Sequence, residues 1–284
     1  MGPSPHIQAF GAYALPPARE RVRVKADGCS DTRIGRWIIS ARRKRAIKGL
    51  TEPFDVNVAP GVKARLYPSG NRCEKRALAG VQVWDLTERN ALRMAVNSDS
   101  GSDEGPFTFF DVGANAGLYS LFVNAYAKTA KRPVRLIAVE PSAEMASRLV
   151  VNADASEADV ELIRSAISDA PGEACLSDGG NNRGEAQLSD QGEQVKVETL
   201  VGLCDRLSVT HIDAMKLDIE GHDERALRAF FDQAPEALHP QLLIVETAAL
   251  SGDPVIELAQ AHNYFVADAT SLNAILKKSD HVQT

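Results

Sequence analysis

No apolar run in this 284-residue chain reaches the roughly 20 residues that a membrane-spanning helix needs, so no such helix is expected. The first residues, with Pro3, Pro5, His6 and Gly11, lack the apolar stretch of a secretory signal, and a cytoplasmic location is the expectation. Cysteine is scarce. Cys29, Cys73, Cys175 and Cys204 stand far apart with no Cys-x-x-Cys pair, which argues for reduced thiols rather than a disulfide framework or a zinc site. His6, His211, His239, His262 and His281 form no ligand pattern, and no resident metal is expected. No internal repeat is visible.

What is present is the composition of an ordinary globular protein, 44% hydrophobic and 25% charged. The net charge of −6 is unevenly spread, because Arg19 to Lys48 is strongly basic and the remainder correspondingly acidic. Three regions are expected: 1–50, a mobile tail and basic helix; 51–106, a hairpin and helical extension; and 107–284, an α/β domain. Ile34, Trp37, Ile38 and Ala41 recur at helical spacing among arginines, which predicts a short amphipathic helix packed on its own domain. Attachment of this helix to an anionic membrane or to nucleic acid is the alternative, and nucleic acid is disfavoured by the absence of interleaved aromatics. Residues 54–58 and 62–67 alternate around Ala59-Pro60-Gly61 as a hairpin, and 74–96 reads as helix. From Phe107 onward strands and helices alternate, and a closing hairpin follows at 264–276. That pattern predicts a doubly wound, mostly parallel sheet with an antiparallel edge, and an irregular hairpin or loop insertion at 172–192.

The segment Phe109-Phe110-Asp111-Val112-Gly113-Ala114-Asn115-Ala116-Gly117 reads as a buried strand, a glycine turn and the start of a helix. Such a turn presents backbone N–H groups and the positive helix end to a polar ligand. The next strand, Leu136 to Val139, ends in Glu140-Pro141, and an acid at that position suits ribose hydroxyls. A nucleoside-bearing cofactor is therefore expected. The middle glycine that admits a dinucleotide pyrophosphate is replaced by Asn115, and Asp111 would repel phosphate and attract a cation. S-adenosyl-L-methionine fits this better than a nicotinamide dinucleotide.

These residues, followed by Lys216-Leu217-Asp218-Ile219-Glu220-Gly221-His222-Asp223 and by Ile244-Val245-Glu246, resemble the FkbM-type family of S-adenosylmethionine-dependent methyltransferases, in order and spacing, from 107 to about 276. The Lys-x-Asp-x-Glu-Gly element is the most specific part. The resemblance implies the Rossmann-like class I methyltransferase fold, with a seven-stranded sheet. It also implies O-methylation of a hydroxyl on a small acceptor, a sugar, glycoside or other natural product. Carried over by residue, Asp111, Gly113, Asn115 and Gly117 would cradle the methionine portion, Glu140 would accept both ribose hydroxyls, and Ser165 and Ala166 would lie near the adenine. The Asn/Asp-Pro-Pro-Tyr element of base-modifying amino methyltransferases is absent, so no nucleic-acid substrate is expected.

Asp218, Glu220 and His222 leave the fourth core strand at its carboxyl end, where α/β sites form. An alcohol is a poor nucleophile, and a base that takes its proton during methyl transfer would help. Asp218 is the first candidate for that base or for acceptor positioning, and His222 the second. The other reading is that Asp218 contacts the cofactor and Glu220 caps the next helix. A nicotinamide-dependent oxidoreductase and a non-catalytic cofactor-binding protein tethered by the basic arm are the competing functions. A homo-oligomer is compatible with the sequence.

Overall fold

The computed structural model describes residues 8–98, 105–177, 188–189, 192–219, 221–247 and 250–279. In chain order its helices are α1 (Pro17–Val24), α2 (Arg33–Ile47), α3 (Arg72–Ala79), α4 (Leu86–Asn97), α5 (Leu118–Ala130), α6 (Ala143–Ala155), α7 (Leu200–Arg206), α8 (Asp223–Gln233) and α9 (Pro254–Ala261). Its strands are β1 (Phe54–Ala59), β2 (Val62–Leu66), β3 (Phe107–Val112), β4 (Val134–Val139), β5 (Val160–Ile163), β6 (Ala166–Ile167), β7 (Gly172–Leu176), β8 (Leu188–Ser189), β9 (Glu193–Glu198), β10 (Ala214–Leu217), β11 (Leu242–Glu246), β12 (Tyr264–Ala269) and β13 (Asn273–Lys278).

Seven strands form the main sheet in the order β12-β13-β11-β10-β3-β4-β5. Strands β5, β4, β3, β10 and β11 pair in parallel, while β13 runs antiparallel between β11 and β12. The apolar runs make this sheet buried on both faces. Phe107 and Phe109 enter one core with Leu121, Phe122 and Leu136; Phe110 and Val112 enter the other with Ile137, Met215, Leu217 and Phe230. Successive side chains alternate across a strand, so a doubly covered strand must be apolar at nearly every position. Because β3 is central and its successors lie on both sides, the order reverses between β3 and β10, and a crevice opens beyond their carboxyl ends.

Around this body the structure departs from the sequence reading in four places. Residues 8–30, read as a tail, are packed: Gly11 and Tyr13 donate their N–H groups to Asp55, Arg65 donates to the carbonyls of Gln8 and Ala9, and α1 follows. The anchor is the buried Asp55–Arg65 pair, 2.7 Å apart, joining β1 to β2. Residues 74–96 are not one helix. Gly80 (φ 143°) and Asp85 (φ 42°) break the stretch, and between them Trp84 turns inward and stacks on Phe122 at 5.3 Å.

The third departure is the segment read as an irregular hairpin or loop insertion: its strands do pair antiparallel, β7 with β8 and β9, but within a larger unit. Around residues 166–198 the chain builds a separate four-stranded sheet, β6-β9-β7-β8, so Val195 and Val197 are strand residues with their own small core. The fourth is the orientation of α2. Its buried residues are Gly35, Ile39 and Ala46, whereas Ile34 and Trp37 are 73% and 72% exposed. Ile39 packs with Ala26 and Ala79, small side chains that allow close helix contact; a tryptophan there would prop the elements apart.

Candidate functional site

The glycine turn after β3 has a conformation that only particular residues tolerate. Gly113 (φ 76°) lies so close to the tip of β10 that a Cβ would fall on the Asp218 carbonyl oxygen. Asn115 is also left-handed (φ 53°), and its Oδ1 accepts from the Ala116 N–H at 2.8 Å and from Asn71 Nδ2 at 2.7 Å. Asn71 is itself buried, and its own Oδ1 caps α3 by accepting the Glu74 N–H at 3.0 Å. One amide thus ties the extension to the turn. Gly117 (φ 81°) faces α6, where a Cβ would come within 2.6 Å of Leu149 Cγ.

Glu140, at the tip of β4, is 7% exposed. Its carboxylate accepts the N–H groups of Asn115 and Ser142, each at 2.8 Å, and burial nevertheless pushes its pKa up to about 7. Gly113, Asn115, Glu140, Ser165 and Ala166 all line one cavity, and Ser165 Oγ is buried there without a hydrogen-bond partner. Asp111 and Gly117 are placed differently. Asp111 is fully buried below the turn, where it accepts from Ser120 N at 3.0 Å and Ser120 Oγ at 2.7 Å. It satisfies an otherwise unpaired N–H in the first turn of α5. Burial raises its pKa, opposed by the nearby Lys216 ammonium. Neither residue lines the cavity.

On the opposite side, Asp218 follows β10. Lys216 Nζ lies 2.8 Å from Asp218 Oδ2 and 3.2 Å from the Gly113 carbonyl, and sits 5.5 Å from the centre of the Tyr119 ring. Burial works against the ammonium, but Asp218 and Asp111 outweigh it and hold the Lys216 pKa above its ordinary value. His222, just before α8, also lines the cavity. Its Nδ1 is 3.3 Å from Ser168 Oγ, whose hydroxyl donates to Asp169 Oδ1 at 2.9 Å; Asp169 in turn pairs with Arg225. A hydroxyl has one proton, so with that proton on Asp169 the serine accepts from His222. That arrangement matches the tautomer with the proton on Nδ1, in which Nε2 carries the lone pair. Glu220 lies outside the described residues.

Apart from Glu246, the remaining wall comes from residues that the sequence motifs did not single out. Arg76 Nη1 pairs with Asp85 at 2.8 Å, Asp85 accepts the Tyr119 hydroxyl at 3.0 Å, and Trp84 Nε1 donates to Cys73 Sγ at 3.1 Å. For the part built by residues 71–85, the hint in the sequence is Asn-x-x-Glu at Asn71–Glu74, a helix-start signal. Glu246, Leu272 and Asn273 close the far side, and Glu88 of α4 holds Asn273 Nδ2 at 2.7 Å and Thr270 Oγ1 at 2.8 Å. Among the described residues no group of three or more His, Cys, Asp or Glu side chains is placed to hold a metal ion, and no helix is long and apolar enough to cross a membrane.

The chemistry of these residues fits a nucleoside joined to a cationic amino acid: a buried carboxylate for paired hydroxyls, an unpartnered buried hydroxyl, and a turn whose glycine admits close approach. The sequence matches the methyltransferase FkbM domain over residues 111–280. Structural relatives include the METTL16 methyltransferase domain, with 10% identity, coverage of 86% of this chain and 80% of that one, and a TM-score of 0.49. A SAM-dependent methyltransferase from Agrobacterium tumefaciens has 12% identity, coverage of 82% and 72%, and a TM-score of 0.47. Precorrin-6y C5,15-methyltransferase from Geobacter metallireducens GS-15 has 13% identity, coverage of 67% and 86%, and a TM-score of 0.41. A sequence comparison with curated proteins gives no significant match. The nicotinamide oxidoreductase is not favoured, the cofactor is S-adenosyl-L-methionine, and the chain belongs to the FkbM methyltransferase domain family.

Proposed function

We propose that this methyltransferase acts on a hydroxyl oxygen of a small, polyhydroxylated acceptor of the sugar or glycoside class. The observation that carries this reading is the arrangement of one cavity with two chemically different walls. Gly113, Asn115, Glu140, Ser165 and Ala166 form the cofactor wall, and Tyr119, Asp85, Asp218, His222, Glu246 and Asn273 form the acceptor wall. When bound, S-adenosyl-L-methionine supplies an electrophilic methyl group on a sulfonium. Glu140 accepts the ribose hydroxyls, the glycine turn receives the amino-acid end, and Ser165 and Ala166 border the base. Asp111 contributes by holding the start of α5 rather than by touching the cofactor. The carboxylates of Asp85, Asp218 and Glu246 and the Asn273 amide offer acceptors to the several O–H donors of a polyol.

For proton removal the geometry favours His222 over Asp218. In the tautomer with its proton on Nδ1, facing Ser168, His222 has Nε2 free to accept, whereas one oxygen of Asp218 is engaged by Lys216. Asp218 then orients the attacking hydroxyl, which must reach about 3 Å from the methyl carbon. The deciding experiment incubates the protein with methyl-labelled cofactor and panels of glycosides, polyols, amines and thiols. Carbon-13 shifts of the transferred methyl identify the atom it is bonded to. Methylation confined to nitrogen or sulfur acceptors overturns the reading.

A further inference from the structure

We infer that the α1–α2 pair is a membrane-surface anchor, docking the enzyme on an anionic bilayer through the outer face of α2. The apolar stripe that spacing predicts for this helix is turned outward. Ile34 and Trp37, three residues apart, are 73% and 72% exposed, while the helix is fastened to the body by its other side through Ile39 and Ala46. The outward stripe continues one turn at a time through Ala41, Lys44, Arg45 and Lys48, all exposed. It therefore has an apolar end and a cationic end.

The charge on this arm is opposite to that of the rest of the molecule. Pro17 to Lys48 holds eleven basic and three acidic side chains in a chain whose net charge is −6. Among the described residues no carboxylate is ion-paired with Arg33, Lys44, Arg45 or Lys48. The arm is nonetheless rigidly mounted. Arg19 donates to the Arg45 carbonyl, Arg42 to the Lys25 carbonyl, and Arg23 to Asn57 O at 2.9 Å, which ties α1 to β1.

An anionic lipid surface satisfies both ends of this stripe. Lysine and arginine are drawn to acidic headgroups, and tryptophan with a neighbouring aliphatic side chain sits at the headgroup–acyl boundary. A nucleic-acid duplex, held through its phosphates, would use the charge and leave Ile34 and Trp37 unused. The acidic body would be repelled by the same surface, so contact is restricted to this face.

Flotation of the full chain with phosphatidylcholine vesicles, with and without about 30% phosphatidylglycerol, tests the anchor at low and at raised salt. Binding is expected only to the anionic vesicles and is expected to weaken as salt rises. Trp37 reports directly, because the other tryptophan, Trp84, is fully buried: its emission should shift to the blue on binding, and the shift should vanish in Trp37→Phe. Reversing Lys44, Arg45 and Lys48 to glutamate should lower partitioning at least tenfold, and Ile34→Ser with Trp37→Ser should lower it further. All these positions are exposed, so unchanged thermal midpoints and cofactor affinity verify that the variants are folded. No binding to anionic vesicles at low salt overturns the proposal. So does binding that survives the charge reversals, preferential binding of duplex RNA that displaces vesicles, or a dimer in solution that Trp37→Ser dissociates.

Discussion

Lys216 and Asp218 are two residues apart in sequence and joined by a 2.8 Å ion pair across the point where β10 leaves the sheet. The lysine also holds the Gly113 carbonyl at 3.2 Å. One ammonium therefore braces the carboxyl ends of both central strands, from which the glycine turn and Asp218 extend into the cavity lining. Lys216→Met leaves the buried Asp111 and the third-exposed Asp218 without their cation. Breaking a fully buried pair costs about 3–5 kcal/mol, and partial exposure of Asp218 reduces this to about 2–3 kcal/mol. Denaturant titration should show that loss, and calorimetry should show weakened cofactor binding as well.

Glu140 should make both stability and cofactor binding depend on pH. Burial lifts its pKa from an ordinary 4.5 to about 7 in the ligand-free protein. Between those values the native state holds a proton that the unfolded chain has released. Its contribution to stability is therefore complete below pH 4.5 and is lost as pH rises through about 7. Burial also lifts Glu74 to about 8, so the comparison of Glu140→Gln with its parent isolates the Glu140 part. The difference in stability between them should change across that window and become constant above it. Ribose hydroxyls need the ionised carboxylate, so cofactor affinity should rise by roughly 5–10-fold from pH 6 to pH 8, and Glu140→Gln should abolish that rise.

If His222 is the base, as proposed, Ser168 acts through it as a positioning residue. Ser168→Ala removes the group that keeps the proton on His222 Nδ1 while leaving the cavity wall in place. Turnover should fall about 10-fold, with little change in acceptor KM. His222→Gln should cost about 10²–10⁴-fold in kcat. Equal losses in KM and kcat for Ser168→Ala would point to a packing role instead.

Two glycines of the same turn should respond differently to alanine. At Gly117 the obstacle is the Leu149 side chain, 2.6 Å from the new Cβ, so Gly117→Ala should lose about 1–3 kcal/mol and recover in part when combined with Leu149→Val. At Gly113 the obstacle is the Asp218 carbonyl, part of the backbone, which cannot rotate away. Gly113→Ala should abolish cofactor binding, and no side-chain change should rescue it. Thermal shift with and without cofactor distinguishes the two.

The parallel sheet was legible because its strands, buried on both faces, are written as short apolar runs such as Leu136–Val139 and Leu242–Val245. The turn and the acid after the second core strand were legible for a related reason: a strand tip next to a glycine turn has few alternative conformations. Asp111 looks like a ligand in sequence because it precedes the turn; the pleat sends its side chain toward Ser120 instead. Ile34 and Trp37 look like a core stripe, yet Ile39 took that place against Ala26 and Ala79. Periodicity marks that a helix has an apolar face without marking what the face meets.

By itself the chain determined its α/β alternation, its glycine turn, the position of Glu140 and the Lys216–Asp218 spacing, all set by neighbours within a few residues. Only the tertiary structure decided that Asn71, Asp85 and Trp84 close the cavity, that Ser168 orients His222, and that α2 turns its tryptophan outward. Those contacts join segments far apart in sequence. They exist only once the two cores have packed, because it is that packing, rather than local backbone preference, which sets their distances.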